Sequence, residues 1–206
     1  TSADLSGYAT QAWVSKQNYL VDSDLGYLAD LRDYYLWVDT SSDSVYFEGA
    51  NVYIQSGSGY TDDAGSLIGL GNLIVGYAED SASDNARTGS HNLVVGDEHH
   101  WTSYGGIVAG YESTISAAYA AVLGGKENTA SGEYSVISGG RQHLASGECA
   151  SVSGGRNNEA TGEYAAVSGG VNSAAEGGAA TVAGGSYSFA TGDSSVVSGG
   201  HYNYAS

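Results

Sequence analysis

Six glycine pairs, Gly124-Gly125, Gly139-Gly140, Gly154-Gly155, Gly169-Gly170, Gly184-Gly185 and Gly199-Gly200, follow one another at a fixed step of 15 residues. The same step carries Ala130, Ala145, Ala160, Ala175, Ala190 and Ala205, and a lone glycine at Gly132, Gly147, Gly162, Gly177 and Gly192. Two residues ahead of each pair stands a β-branched residue: Val122, Ile137, Val152, Val167, Val182 and Val197. A small residue precedes each of these by two: Ala120, Ser135, Ala150, Ala165, Ala180 and Ser195. A strict period of this kind marks a repeat architecture, in which each unit buries its apolar face only against its neighbours.

Fifteen residues are too few for a helical hairpin, and the β-branched positions and turn glycines suit two short strands joined by two turns. The chain is therefore expected to be mainly β, a parallel β-solenoid with about 15 residues per coil. Coils stacked at about 4.8 Å would satisfy one another's backbone groups. Val122, Ala130, Ile137, Ala145, Val152, Ala160, Val167, Ala175, Val182, Ala190 and Val197 are expected to form its interior. The glycine pairs and the lone glycines are expected to supply left-handed turn conformations, with Asn128, Asn158 and Asn203 as a turn ladder. Proline would delete a ladder hydrogen bond in every coil, and the chain has 32 glycines and no proline.

Valine and alanine enclose little volume, so one such rod buries little apolar surface against its conformational entropy. Coils from more than one chain are expected to pack together, with Tyr119, Tyr134, Leu144, Tyr164, Phe189 and Tyr204 among the outward residues available for contact.

The pattern weakens upstream. Gly71 to Gly76, Ser90 to Gly96 and Ile107 to Gly110 are near copies, and residues 78–87 read as an insertion loop. Regular repeats thus occupy 113–206 and irregular coils 69–112, with a β connector over 41–68. Residues 1–40 have a different texture. Val21, Leu28, Leu31, Tyr35 and Val38 fall at heptad-like spacing and predict a short helical or coiled-coil stalk.

Charge excludes some partners. Six Lys+Arg against 23 Asp+Glu, net charge -17, disfavour nucleic acid. No run of about 18 apolar residues exists, so membrane insertion by this chain is not expected. The one cysteine, Cys149, cannot form an intrachain disulfide.

The densest group of potential ligands is Asp97-Glu98-His99-His100-Trp101. Zinc sites draw tetrahedral ligands from separated segments, and this cluster is contiguous, so it reads as an exposed polar loop and no metal or other cofactor is expected. Trp101 and Tyr104 could stack on a sugar face, which makes Asp97, Glu98, His99, His100, Trp101 and Tyr104 the candidate ligand-binding set. Glu133, Glu148, Glu163 and Asp193 form an acidic column, expected to be solvated and offset by Lys126, Arg141 and Arg156. Cys149 has only His143 as a possible base, and no Gly-x-Ser-x-Gly elbow occurs, so no catalytic residues and no enzyme activity are expected.

The units Tyr134-Ser135-Val136-Ile137-Ser138-Gly139-Gly140 and Asn158 to Gly170 resemble the head repeats of YadA-type trimeric autotransporter adhesins, over roughly residues 69–206. The opening Asp4 to Val14 resembles segments of trimeric phage tail fibres. The unit length departs from the adhesin pattern: this chain is about one residue longer per coil and has Val-Ser-Gly-Gly where the family has Ala-Ile-Gly. The resemblance implies a left-handed coil, a homotrimer, and an extracellular or cell-surface location. The expected function is that of a fibre or adhesin head attaching to a cell, a carbohydrate or another surface receptor. An alternative is a subunit of a self-assembling extracellular filament with no ligand, since the last coil presents an open edge.

Overall fold

From Ala121 onward each coil places one outward and one inward residue on each of two short strands every 15 residues, which extends two parallel sheets begun by earlier coils whose registers, such as Leu93↔Ile107 and Ile107↔Ala121, step by 14. The structure is a computed structural model that describes residues 36–77, 79 and 86–206. It divides into two units, 1–53 and 54–206.

In the first unit, β1 (Leu36–Asp39) and β2 (Ser44–Phe47) form an antiparallel hairpin. Its turn is held by Asp39, whose Oδ1 accepts the Ser41 N–H at 2.9 Å and whose Oδ2 accepts the Ser42 hydroxyl at 2.8 Å. These bonds hold the carboxyl down at about 2. Val38 corrects the helical reading: it is paired with Val45 in a strand. Val21, Leu28, Leu31 and Tyr35, the other proposed stalk positions, lie outside the described residues.

The second unit is a parallel β-solenoid of about eight turns. Strands β3 (Leu73–Val75), β4 (Leu93–Asp97) and β6 (Ile107–Tyr111) open a nine-stranded sheet. Between them β5 (His100–Trp101) and β7 (Thr114–Ile115) open an eight-stranded sheet. Consecutive coils add one strand to each sheet, with identical repeat positions in register, as in Val136↔Ser151 and Leu144↔Glu159.

The strands supply two apolar columns of the interior, and the small residues Ala120, Ala150, Ala165 and Ala180 form a further buried column. Ile74, Val94, Val108, Val122, Ile137, Val152, Val167, Val182 and Val197 come from the first sheet. Trp101, Ile115, Ala130, Ala145, Ala160, Ala175, Ala190 and Ala205 come from the second. From Val94 to Val197 and from Trp101 to Ala190 these side chains are buried. Among the described residues there is no α-helix, and no helix is long and apolar enough to cross a membrane.

The glycines divide into three jobs, one of which matches the expected turn role. The second glycine of each pair is left-handed, with φ from +89° at Gly125 to +103° at Gly170. The lone glycines Gly132, Gly147, Gly162, Gly177 and Gly192 are not left-handed. A Cβ at Gly162 would overlap the carbonyl oxygen of Gly177 in the next coil, so close approach of stacked backbones requires glycine there. At Gly124, Gly139, Gly154, Gly169 and Gly184 a Cβ would meet nothing within 4 Å. In the regular coils the other left-handed positions, apart from Gly199, are taken by non-glycine residues, such as Tyr134, Cys149 and Tyr164 in one column and Gln142, Asn157 and Asn172 in another.

Candidate functional site

A buried polar ladder runs through the interior beside the valines. His99, Ser113, Asn128, His143, Asn158, Ser173 and Ser188 occupy one column and are all buried. From His99 to Ser173 each side chain accepts the backbone N–H one coil further on, while the Ser188 hydroxyl has no partner. Ser113 N donates to His99 Nδ1 at 3.2 Å, and Asn128 N to Ser113 Oγ at 3.2 Å. His143 N donates to Asn128 Oδ1, Asn158 N to His143 Nδ1 and Ser173 N to Asn158 Oδ1, each at 3.0 Å. Ser188 N closes the series on Ser173 Oγ at 3.2 Å. The asparagines also donate: Asn128 Nδ2 reaches the Gly124 and Gly140 carbonyls, and Asn158 Nδ2 those of Gly154 and Gly170. Asn128 and Asn158 are thus inside the coil and bridge three successive coils, satisfying turn groups that burial would otherwise orphan.

Two members of this ladder are histidines, and each must be neutral at Nδ1 to accept an N–H. Burial lowers the pKa of both His99 and His143. Nε2 of His99 donates to the Val95 carbonyl at 3.1 Å, whereas Nε2 of His143 has no partner at hydrogen-bond geometry.

This arrangement corrects the reading of residues 97–101 as an exposed polar loop. Asp97 ends β4, while His100 and Trp101 form β5, so only Glu98 and His99 lie between strands. His99 is a ladder residue, and Trp101 fills the alanine column of the eight-stranded sheet, 3% exposed, with the Arg87 guanidinium 5.2 Å from its ring centre. A ring so enclosed has no free face for a sugar. Glu98 takes a left-handed turn position, and His100 is a half-buried outward residue next to Thr114. Tyr104 packs edge-on against Tyr119, centroids 5.3 Å apart, at the head of a ring column continued by Tyr134, which stacks on Tyr119 at 5.3 Å and 3°. The six residues therefore divide between interior, turn and outer face and do not converge.

Cys149 breaks the tyrosine column between Tyr134 and Tyr164 and is exposed. His143, its suggested base, is interior with Nδ1 engaged by Asn158. The charge columns also separate. The pairs formed by Lys126 and Arg141 go to Glu127, at 2.9 and 3.6 Å, rather than to Glu133, Glu148 or Glu163. Among the described residues no three His, Cys, Asp or Glu side chains are placed to hold one metal ion.

Outside the coil two surfaces stand out. On the nine-stranded sheet the outward column reads Leu73, Leu93, Ile107, Ala121, Val136, Ser151, Ala166, Thr181, Val196. The outward positions that follow the interior column read Val75, Val95, Ala109, Leu123, Ser138, Ser153, Ser168, Ala183, Ser198. Neither column holds an Asp, Glu, Lys or Arg. On the eight-stranded sheet the outward column His100, Thr114, Thr129, Leu144, Glu159, Ala174, Phe189, Tyr204 is interrupted at Ala174, and a groove of about 270 Å³ opens there. Sequence reasoning missed this groove, although its signal, one small residue in a column of larger ones, is present in the repeat alignment. Comparison with models of known families, with curated proteins and with solved structures finds no match to this chain.

Proposed function

We propose that this chain is a homotrimeric extracellular fibre or adhesin head module, which attaches to a cell or other surface through side chains displayed on its solenoid. The observation that carries the reading is the uncharged outer face of the nine-stranded sheet. In a chain of net charge -17, two full outward columns free of charge are a surface along which like chains do not repel, apolar in its first coils and rich in serine from Ser138 onward. Leu73, Val75, Ile107, Leu123 and Val196 are exposed on it. Beside it run Gly124, Gly139, Gly154, Gly169 and Gly184, which nothing within their own coil requires to be glycine. Side-by-side copies of the chain, meeting along this face, account for both features.

The remaining faces carry the chain's charge outward, with Glu133, Glu148, Glu163 and Asp193 in one exposed column. A trimer would have a net charge of three times -17, or -51, which keeps rods soluble and separate. Tyrosines and mixed polar columns on those faces are the surfaces left for attachment.

Light scattering across a range of concentrations tests the reading. A constant mass of three times 20.9 kDa, about 63 kDa, supports it. A stable monomer overturns it, and a mass that grows with concentration replaces it with an end-to-end filament.

A further inference from the structure

The groove at Ala174 deepens the attachment reading and rests on it, because it supplies a ligand class. One coil back in the same outward column stands Glu159, and one coil on stands Phe189, so Ala174 leaves a gap one side chain deep, 4% exposed at its floor. Its walls come from the neighbouring left-handed turn column, in which Asn157, Asn172 and Tyr187 follow one another at φ +54°. Asn157 Nδ2 donates to Asn172 Oδ1 at 2.8 Å, which orients both amides. Tyr202 stacks on Tyr187 from the far side, centroids 5.0 Å apart and planes 21° from parallel, and His201 meets it edge-on. The coil before Tyr187 offers only Asn172 in that column, so one ring face is left toward the groove.

We infer that this groove binds a single neutral pyranose ring, with the sugar's C–H face against Tyr187 and Phe189 and its hydroxyls on the Asn157 and Asn172 amides and the Glu159 and Glu176 carboxylates. Aromatic faces and rigidly held amides and carboxylates recognise the two sides of such a ring. Neither Glu159 nor Glu176 is in an ion pair among the described residues, so both carboxylates are free to accept hydroxyl hydrogens. The basic column Lys126, Arg141, Arg156 ends in the coil of Asn157 and Glu159 and is followed by Val171 and Ser186 in the coils of Ala174 and Phe189. The two carboxylates therefore disfavour anionic sugars. A volume of about 270 Å³ lies just under the ~300–1,000 Å³ of sites for drug-sized ligands, which fits one ring rather than an extended chain.

The test titrates methyl mannoside, methyl galactoside and methyl N-acetylglucosaminide into the full chain by calorimetry and saturation-transfer NMR, with a methyl sialoside as the anionic comparison. Ala174→Leu fills the groove with the residue that the same column holds at Leu144, so the coil accommodates it. At least one neutral glycoside should saturate with a millimolar Kd, weakened about ten-fold or more in Ala174→Leu and in Tyr187→Ala. Circular dichroism and mass should not change. Absence of saturation by every neutral glycoside, preference for the sialoside, or binding that survives Ala174→Leu overturns the inference. Attachment of labelled protein to cells is scored separately: attachment that persists in Ala174→Leu refutes the groove alone, while a protein that binds glycoside but no surface refutes the attachment reading.

Discussion

The backbone N–H of Asn158 donates across 3.0 Å to Nδ1 of His143, inside the coil. Protonation of that ring would replace the acceptor by a donor and leave a charge in an interior of valine and alanine. The folded pKa is lowered by burial, so below the ordinary value of about 6.5 the unfolded chain takes up a proton that the folded one refuses.

Stability is accordingly expected to be fully present above pH 6.5 and to fall as the pH drops, by up to about 1.4 kcal/mol per pH unit for each such histidine. His99 contributes in the same direction. His143→Asn keeps the acceptor, because Asn128 and Asn158 do the same job one coil away, and Nδ2 would reach turn carbonyls that Nε2 does not. Denaturant titrations at pH 5 and 7.5 should show the variant about 1 kcal/mol more stable at the higher pH and less sensitive to acid. An unchanged pH slope would show that His143 stays out of the titration.

The three classes of glycine should respond differently to one added methyl. Gly162→Ala drives a Cβ into the Gly177 carbonyl and is expected to cost about 2 kcal/mol or more. Gly169→Ala enters open space and should leave the unfolding midpoint of a single rod within about 0.5 kcal/mol. If the uncharged face packs against other copies, the same Gly169→Ala lowers the assembled mass while leaving circular dichroism intact.

Charges placed on that face test it directly. Ile107→Glu and Val136→Glu point outward from the nine-stranded sheet, next to strands whose interior partners Val108 and Ile137 stay buried. The double variant should retain the β spectrum and scatter at the mass of one chain. Retention of the larger mass would locate the contact elsewhere. By contrast Ile137→Ala, which empties an interior site, should lose about 2–5 kcal/mol whatever the assembly state.

Ser135 is fully buried and its Oγ has no partner, in a column that holds Ala120, Ala150, Ala165 and Ala180. Ser135→Ala removes an unsatisfied hydroxyl without opening a large cavity, and is expected to raise stability by about 1 kcal/mol in equilibrium unfolding. A loss instead would mean that a partner reaches this hydroxyl.

Much of the architecture was readable before any coordinates, because a 15-residue period can be satisfied only if every coil does the same thing. Val122, Ile137 and Val152 recur where an interior strand position must recur, and Ala130, Ala145 and Ala160 opposite them leave room for little else. The reasons behind the glycines were not readable. Gly132 and Gly125 look alike in sequence, and a Cβ on either would overlap the backbone of the next coil, yet only Gly125 also takes a left-handed turn, a distinction that depends on local backbone conformation. His99 and Trp101 misled for a related reason: a polar cluster suggests solvent until stacking shows that His99 continues the column of Ser113 and Asn128.

The amino-acid sequence by itself determined the coil length, the parallel stacking and the identity of the interior columns, since these follow from periodicity and side-chain size. Tertiary structure alone decided which polar residues face inward, and that Lys126 and Arg141 meet Glu127 rather than the Glu133 column. Each of these depends on which side of a turn a residue leaves the backbone, and one residue of shift between strand and turn moves it from interior to solvent.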